Sequence, residues 1–124
     1  MSENIADVTV DWTIIRTQDL GKRELRVVFY GGEPLLRPGL IERIARRFNE
    51  RCRLYGIDFS FTIITNGSLI TPDIVLKLKD FGLTGIKTTL DGPPEIHNKQ
   101  RPFKNKQGSF NVIIDNLLKV APLI

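Results

Sequence analysis

The chain has 124 residues, 41% of them hydrophobic, one cysteine and a formal net charge of +4, which suits one ordinary domain with a core of its own. No apolar run approaches the roughly 20 residues that cross a bilayer and nothing at the start resembles a secretory signal, so a cytoplasmic chain with no membrane partner is expected. The lone Cys52 excludes an internal disulfide framework and a zinc site of the CxxC type, and the mild basic charge is read as a solvated surface, with a patch for an anionic ligand or nucleic acid as the alternative.

In residues 1–22, Ile5, Val8, Trp12 and Ile15 recur at helical spacing, whereas Val8, Val10, Trp12 and Ile14 alternate as in a strand. The helical reading, ending near Gly21, is adopted. Residues 24–30, ELRVVFY, are dense in Val and aromatics and predict a buried strand that runs into Gly31-Gly32. From about Pro38, the spacing of Ile41, Ile44, Phe48, Cys52 and Tyr55 predicts a helix with one apolar stripe, closed by Gly56. Cys52 falls on that stripe and is read as a small core side chain. Residues 57–65, IDFSFTIIT, predict a second strand, followed by an Asn66-Gly67 turn. Thr71 and Pro72 then suit the start of a helix that buries Ile74, Val75, Leu78 and Phe81. Residues 84–90, TGIKTTL, predict a third strand, and a polar loop is expected from 91 to 108 before a last helix over 109–118. His97, in that loop, is read as a surface or structural residue.

Strands alternating with helices imply an α/β fold with a parallel sheet. Ligands in such sheets gather at the carboxyl ends of the strands, as they do in (β/α) barrels. The turns Gly31-Gly32-Glu33-Pro34, Thr65-Asn66-Gly67-Ser68 and Asp91-Gly92-Pro93 each follow a strand directly, so they are expected to share one rim. Glycines there let a ligand approach the backbone. Glu33 and Asp91 can accept hydrogen bonds from an amine or hydroxyl, and Thr65, Asn66, Ser68 and Thr89 add neutral groups. Alternation sets Lys87, Thr89 and Asp91 on one face of the third strand. Spacing alone is equally compatible with plain turns and a solvated Glu33. Neither a Walker A string nor GxGxxG is present.

Taken together, FYGGEPLL (29–36), TNGSLIT (65–71) and TLDGPPEIHNKQRPFKNKQGSF (89–110) resemble the radical S-adenosylmethionine (SAM) superfamily, in particular the branch of anaerobic sulfatase-maturating and peptide-modifying enzymes. The resemblance extends from residue 24 to about 120. It implies parallel βαβ units forming part of a TIM-type (β/α) barrel, a SAM cofactor, and a peptide or protein substrate. By the same resemblance Gly31, Gly32 and Glu33 would receive the SAM amino group and Pro34 would stiffen their turn. Asn66 would lie near the cofactor, and Thr89 would face the methionine carboxylate or ribose. Asp91 and Arg101 would stand at the mouth of the site, where a guanidinium suits a carboxylate. Tyr30 departs from the polar amide of some relatives, so no contact is implied through it.

The family's chemistry starts from a 4Fe–4S cluster on three cysteines in a CxxxCxxC segment ahead of the GGEP strand. No such segment occurs in these 124 residues. The expectation is a partial radical SAM core that neither assembles the cluster nor cleaves SAM alone, with a non-catalytic SAM- or nucleotide-binding module or an inert scaffold as the alternative. A partial barrel would leave sheet edges and one face uncovered, so self-association is also expected. Nucleic acid binding is not, because the aromatics sit in apolar segments and not among the arginines.

Overall fold

Each strand of the sheet is followed by a helix and then by the next strand alongside it, in a computed structural model that describes residues 1–124. The strands β1 (Glu24–Phe29), β2 (Asp58–Thr65) and β3 (Leu83–Thr88) pair in parallel, in the order β1-β2-β3. The helices are α1 (Glu3–Asp19), α2 (Pro38–Leu54), α3 (Pro72–Lys79), α4 (Pro94–Gln100) and α5 (Phe110–Val120), with short 3₁₀ turns at Pro34–Leu36 and Ala121–Leu123. Between β2 and β3 the register slips by one residue: Phe61 faces Leu83 but Thr62 faces Gly85. The extra residue, Thr84, donates its hydroxyl to the Phe61 carbonyl.

Sequential parallel order with crossovers of one hand sends every helix to the same face of the sheet, which is the winding of a barrel. The core follows that plan. Ile41 and Ala45 of α2, Val75 and Leu78 of α3, and Val120 of α5 pack on Phe61, Ile63 and Leu83 of the sheet. A second cluster joins Val10 and Ile14 of α1 to Phe48 and Cys52 of α2 and to Ile57. Phe59 links the two, stacking on Phe48 at 5.1 Å and on Phe61 at 5.9 Å. The opposite face carries Glu24, Arg26 and Val28 on β1, all exposed, and no helix lies against it. No helix is long and apolar enough to cross a membrane.

α1 is helical, as expected, although it is rich in β-branched residues. Ser2 caps it by accepting the Ile5 amide proton, and Thr9, Thr13 and Thr17 each donate their hydroxyl to the carbonyl four residues back. The face it buries is not the one formed by the apolar residues that recur at helical spacing. Ala6, Val10, Ile14 and Thr17 are buried, whereas Ile5, Val8, Trp12 and Ile15 point to solvent. The polar segment 91–108 differs as well: its first part is α4, opened by the Pro93-Pro94 pair. The third strand is shorter than the sequence suggested, so Thr89 lies just beyond it.

Candidate functional site

Glu33 leaves β1 in extended conformation and turns its carboxylate back on the chain. Its Oε1 accepts the Leu35 amide proton at 3.0 Å, which caps the Pro34–Leu36 turn, and Pro34 fits the first position of that turn. The same Oε1 accepts the Thr65 hydroxyl at 2.7 Å, and Oε2 accepts the Asn66 amide proton at 2.8 Å. One carboxylate thus ties the end of β1 to the end of β2. A carboxylate offers about four acceptor positions; three are filled, and the one left is on Oε2. Around Gly31 and Gly32 a Cβ would meet nothing within 4 Å, so the backbone there is open to a ligand.

The second turn is held from both sides. Thr65 Oγ1 accepts the Gly67 amide proton at 3.1 Å, and Asn66 Oδ1 accepts the Ser68 amide at 2.9 Å and its hydroxyl at 2.7 Å. From α5, Asn116 donates to the carbonyls of Gly67 and Ser68, both at 3.1 Å. Gly67 has φ +80°, and a Cβ there would sit 3.0 Å from Ile113 and 3.1 Å from Thr88. Glycine is required at this position for both reasons.

At the third turn, Arg101 grips the Asp91 carboxylate with two nitrogens. The guanidinium holds the Asp91 carboxyl below its ordinary 3.8, and Asp91 raises the Arg101 value in turn. Arg101 does bind a carboxylate, then, but one of its own chain. His97, expected at the surface or in a structural role, is structural and has no exposed surface. Its Nδ1 accepts the Asp91 amide proton at 3.3 Å and its Nε2 lies 3.2 Å from the Ser109 hydroxyl. Asn98 Oδ1 accepts the Phe110 amide proton at 2.9 Å.

The three turns share one rim. Gly32, Asn66 and Arg101 line a cleft of about 260 Å³ together with Ser68, Phe103 and Ser109. Glu33 and Pro34 border a larger apolar cleft of about 550 Å³ between α1, β1 and α2. Asp91 reaches the first cleft through Arg101, and Thr89 is exposed and lines neither. Reading residue by residue missed His97, Ser109 and Asn116 as parts of this rim. The string IHN followed by GSF was the visible signal for the first two; nothing marked Asn116 except its place on the polar side of a helix.

Iron–sulfur ligation needs several thiolates. Cys52 is buried between α2 and its neighbours, and burial pushes its thiol up to about 11. No group of three or more His, Cys, Asp or Glu side chains could hold a metal ion. The residues present therefore do not fit a cluster. What they offer at the rim is an acceptor left on Glu33, open backbone at Gly31 and Gly32, and polar groups on Asn66 and Ser68.

The family model described as the radical SAM superfamily matches residues 13–123. Among characterised proteins, the chain is 41% identical over 98 residues to the radical SAM cyclopropyl synthase TigE of Paramaledivibacter caminithermalis, covering 76% of this chain and 20% of that protein. It is 39% identical over 90 residues to the cysteine-type anaerobic sulfatase-maturating enzyme of Clostridium novyi, covering 72% and 24%. It is 37% identical over 87 residues to the AdoMet-dependent heme synthase of Methanosarcina barkeri, covering 68% and 22%. The chain thus spans about a fifth to a quarter of these relatives. The solved structure of native anSMEcpe with bound AdoMet superposes with a TM-score of 0.72 at 21% identity, over 94% of this chain and 31% of that one. The same protein with AdoMet and the Kp18Cys peptide gives 0.71 at 22% identity, over 82% and 28%. The expected part-barrel α/β fold is borne out by the sheet and by these superpositions, and with the family match over nearly its whole length the chain belongs to the radical SAM superfamily.

Proposed function

We propose that this chain carries part of the SAM site of a radical SAM iron–sulfur enzyme that acts on a peptide or protein in the cytoplasm. The observation that carries the reading is Glu33, whose carboxylate joins two strand ends and keeps one acceptor free beside the open Gly31-Gly32 backbone. An ammonium group matches that acceptor in charge and hydrogen bonding. In this reading Gly31, Gly32, Glu33 and Pro34 bind the amino end of SAM, Asn66 and Thr89 lie along it, and Asp91 and Arg101 border the mouth. The peptide or protein substrate is suggested by the names of the sulfatase-maturating relative and of the peptide-bound neighbour.

A cluster used with this site would take its thiolates from outside these 124 residues, because the one thiol here is buried. The same observation favours a second reading, a SAM-binding module without chemistry of its own. Titration calorimetry with SAM tests the binding claim: saturable heat that Glu33→Gln removes supports it, and no heat from folded protein defeats it. Anaerobic reconstitution with iron and sulfide tests the catalytic claim. About four irons per chain together with 5′-deoxyadenosine from SAM would defeat the prediction of inactivity. The open edges of β1 and β3 further support pairing with a second copy; a sedimentation coefficient independent of concentration would refute it.

A further inference from the structure

The 19 residues from Asp91 to Ser109 form a closed circuit of hydrogen bonds. The Asp91 amide donates to His97 Nδ1, so that nitrogen is the acceptor of the ring. The imidazole proton then sits on Nε2 and is donated to Ser109 Oγ. The Ser109 hydroxyl in turn donates to the Arg101 carbonyl at 2.6 Å. The Arg101 side chain closes the loop on the Asp91 carboxylate, and the Arg101 amide donates to the His97 carbonyl at 2.8 Å. Every donor in this series meets an acceptor with one neutral tautomer only.

That tautomer decides what the His97–Ser109 pair can do. A histidine serving as general base to a serine accepts the hydroxyl proton at Nε2 and donates from Nδ1. Here both roles are reversed, and the Ser109 proton is already committed to a backbone carbonyl. Ser109 is 4% exposed and His97 is 0% exposed. The pair is therefore not a hydrolytic dyad, although Ser109 lines the rim cleft.

We propose that His97, fixed as the Nε2–H tautomer, is the positioning residue of the rim cleft: through Ser109 and the Asp91 amide it holds Arg101 and the Asp91 turn at the entrance. Buried polar groups that are all satisfied set one geometry, since any other leaves a group without a partner. His97 also packs edge-on against Phe110 at 5.7 Å, which fixes its ring plane. The role is in the circuit itself; that the positioned Arg101 serves SAM rests on the function proposed above.

His97 is the only histidine in the chain, so a long-range proton–nitrogen spectrum of the labelled protein reads it without assignment. The expected signature at neutral pH is a protonated Nε2 and an unprotonated Nδ1. A protonated Nδ1 overturns the proposal, and this result needs no variant to fold. Ser109→Ala and His97→Asn should raise amide exchange at Asp91 and over residues 101–109 by about tenfold or more, with the β2 and α2 amides unchanged. Unchanged exchange over that segment in folded variants also overturns it. SAM titrated into the wild type separates the two claims. Absence of SAM binding by the wild type with the circuit intact defeats the proposed function alone, whereas SAM binding by the wild type together with unchanged exchange in folded Ser109→Ala defeats the positioning role alone.

Discussion

Glu33 and Asn66 meet across two strand ends, with the carboxylate Oε2 accepting the Asn66 amide proton at 2.8 Å. The contact makes Glu33 a structural residue and a ligand candidate at once. Glu33→Gln replaces one carboxylate oxygen by an NH₂ donor. That group must face either the Asn66 amide or the Leu35 amide and Thr65 hydroxyl, which are donors to the native carboxylate. The expected cost is about 1–3 kcal/mol. Urea unfolding should show a lower midpoint with an unchanged slope. A wild-type midpoint would mean that the bonds to Glu33 contribute nothing net.

Asp91 supplies a pH dependence of definite sign. Arg101 holds its carboxyl below the ordinary value of 3.8. A group depressed on folding stabilises the fold fully above its unfolded value, and that contribution is lost as pH falls through the folded value. Asp7 and Glu42 are depressed in the same direction, by hydrogen bonds from Arg43 and Lys77, but both remain in an Asp91→Asn variant. The stability gap between wild type and variant should therefore be widest near about pH 7 and narrow as the pH falls through the ordinary carboxyl value of 3.8. A gap constant across that range would remove the ion pair as its cause.

Much of this rim was legible because turns are short-range chemistry. Gly-Gly, Asn-Gly and Asp-Gly-Pro after apolar runs need only local sequence to be read as strand ends, and strand–helix alternation then sets them on one edge. Glu33 and Asn66 were recognised one at a time; their bond was not, because it joins residues 33 positions apart. The same distance in sequence hid Asn116, which supports Gly67 from 49 positions away. α4 was missed because it is only seven residues long and its one aliphatic side chain, Ile96, is exposed. Its fold depends on Pro94 at the start and on His97 buried beneath, not on an apolar stripe.

Two glycines should respond to alanine in opposite directions. A Cβ on Gly108 would lie 2.6 Å from Asn98 Cγ, and Asn98 is held in place by the Phe110 amide. Gly108→Ala should destabilise by about 1–3 kcal/mol through overpacking. Gly39, in the first turn of α2, has nothing within 4 Å of an added Cβ. Gly39→Ala should stabilise by about 0.4–1 kcal/mol, by restricting the unfolded chain. Thermal unfolding of the two variants beside wild type tests both, and a shift of the same sign would contradict the geometry.

Cys52 should be a slow thiol. It has no exposed surface and burial raises its value to about 11, so little thiolate exists at mildly alkaline pH. A disulfide reagent should label native protein only as fast as the core opens, and label unfolded protein at once. Immediate labelling of the native chain would place Cys52 outside the core formed by Val10, Ile14, Phe48 and Ile57.

Neighbouring isoleucines of α1 give the sharpest test of how that helix docks. Apolar residues cover two opposite sides of α1, so periodicity alone selects no buried side. The ion pairs select it: Asp7 reaches Arg43 at 2.8 Å and Asp11 reaches Arg47 at 2.8 Å, which turns Val10 and Ile14 toward α2. Each such pair adds little energy at the surface, but their positions fix the rotation of the helix. Ile14 is 1% exposed and Ile15 is 53% exposed. Ile14→Ala should cost about 2–5 kcal/mol. Ile15→Ala should stay within about 0.5 kcal/mol of wild type. Denaturant unfolding of the two variants separates the alternatives, since the reverse order would mean that α1 docks through Ile5, Val8, Trp12 and Ile15 instead.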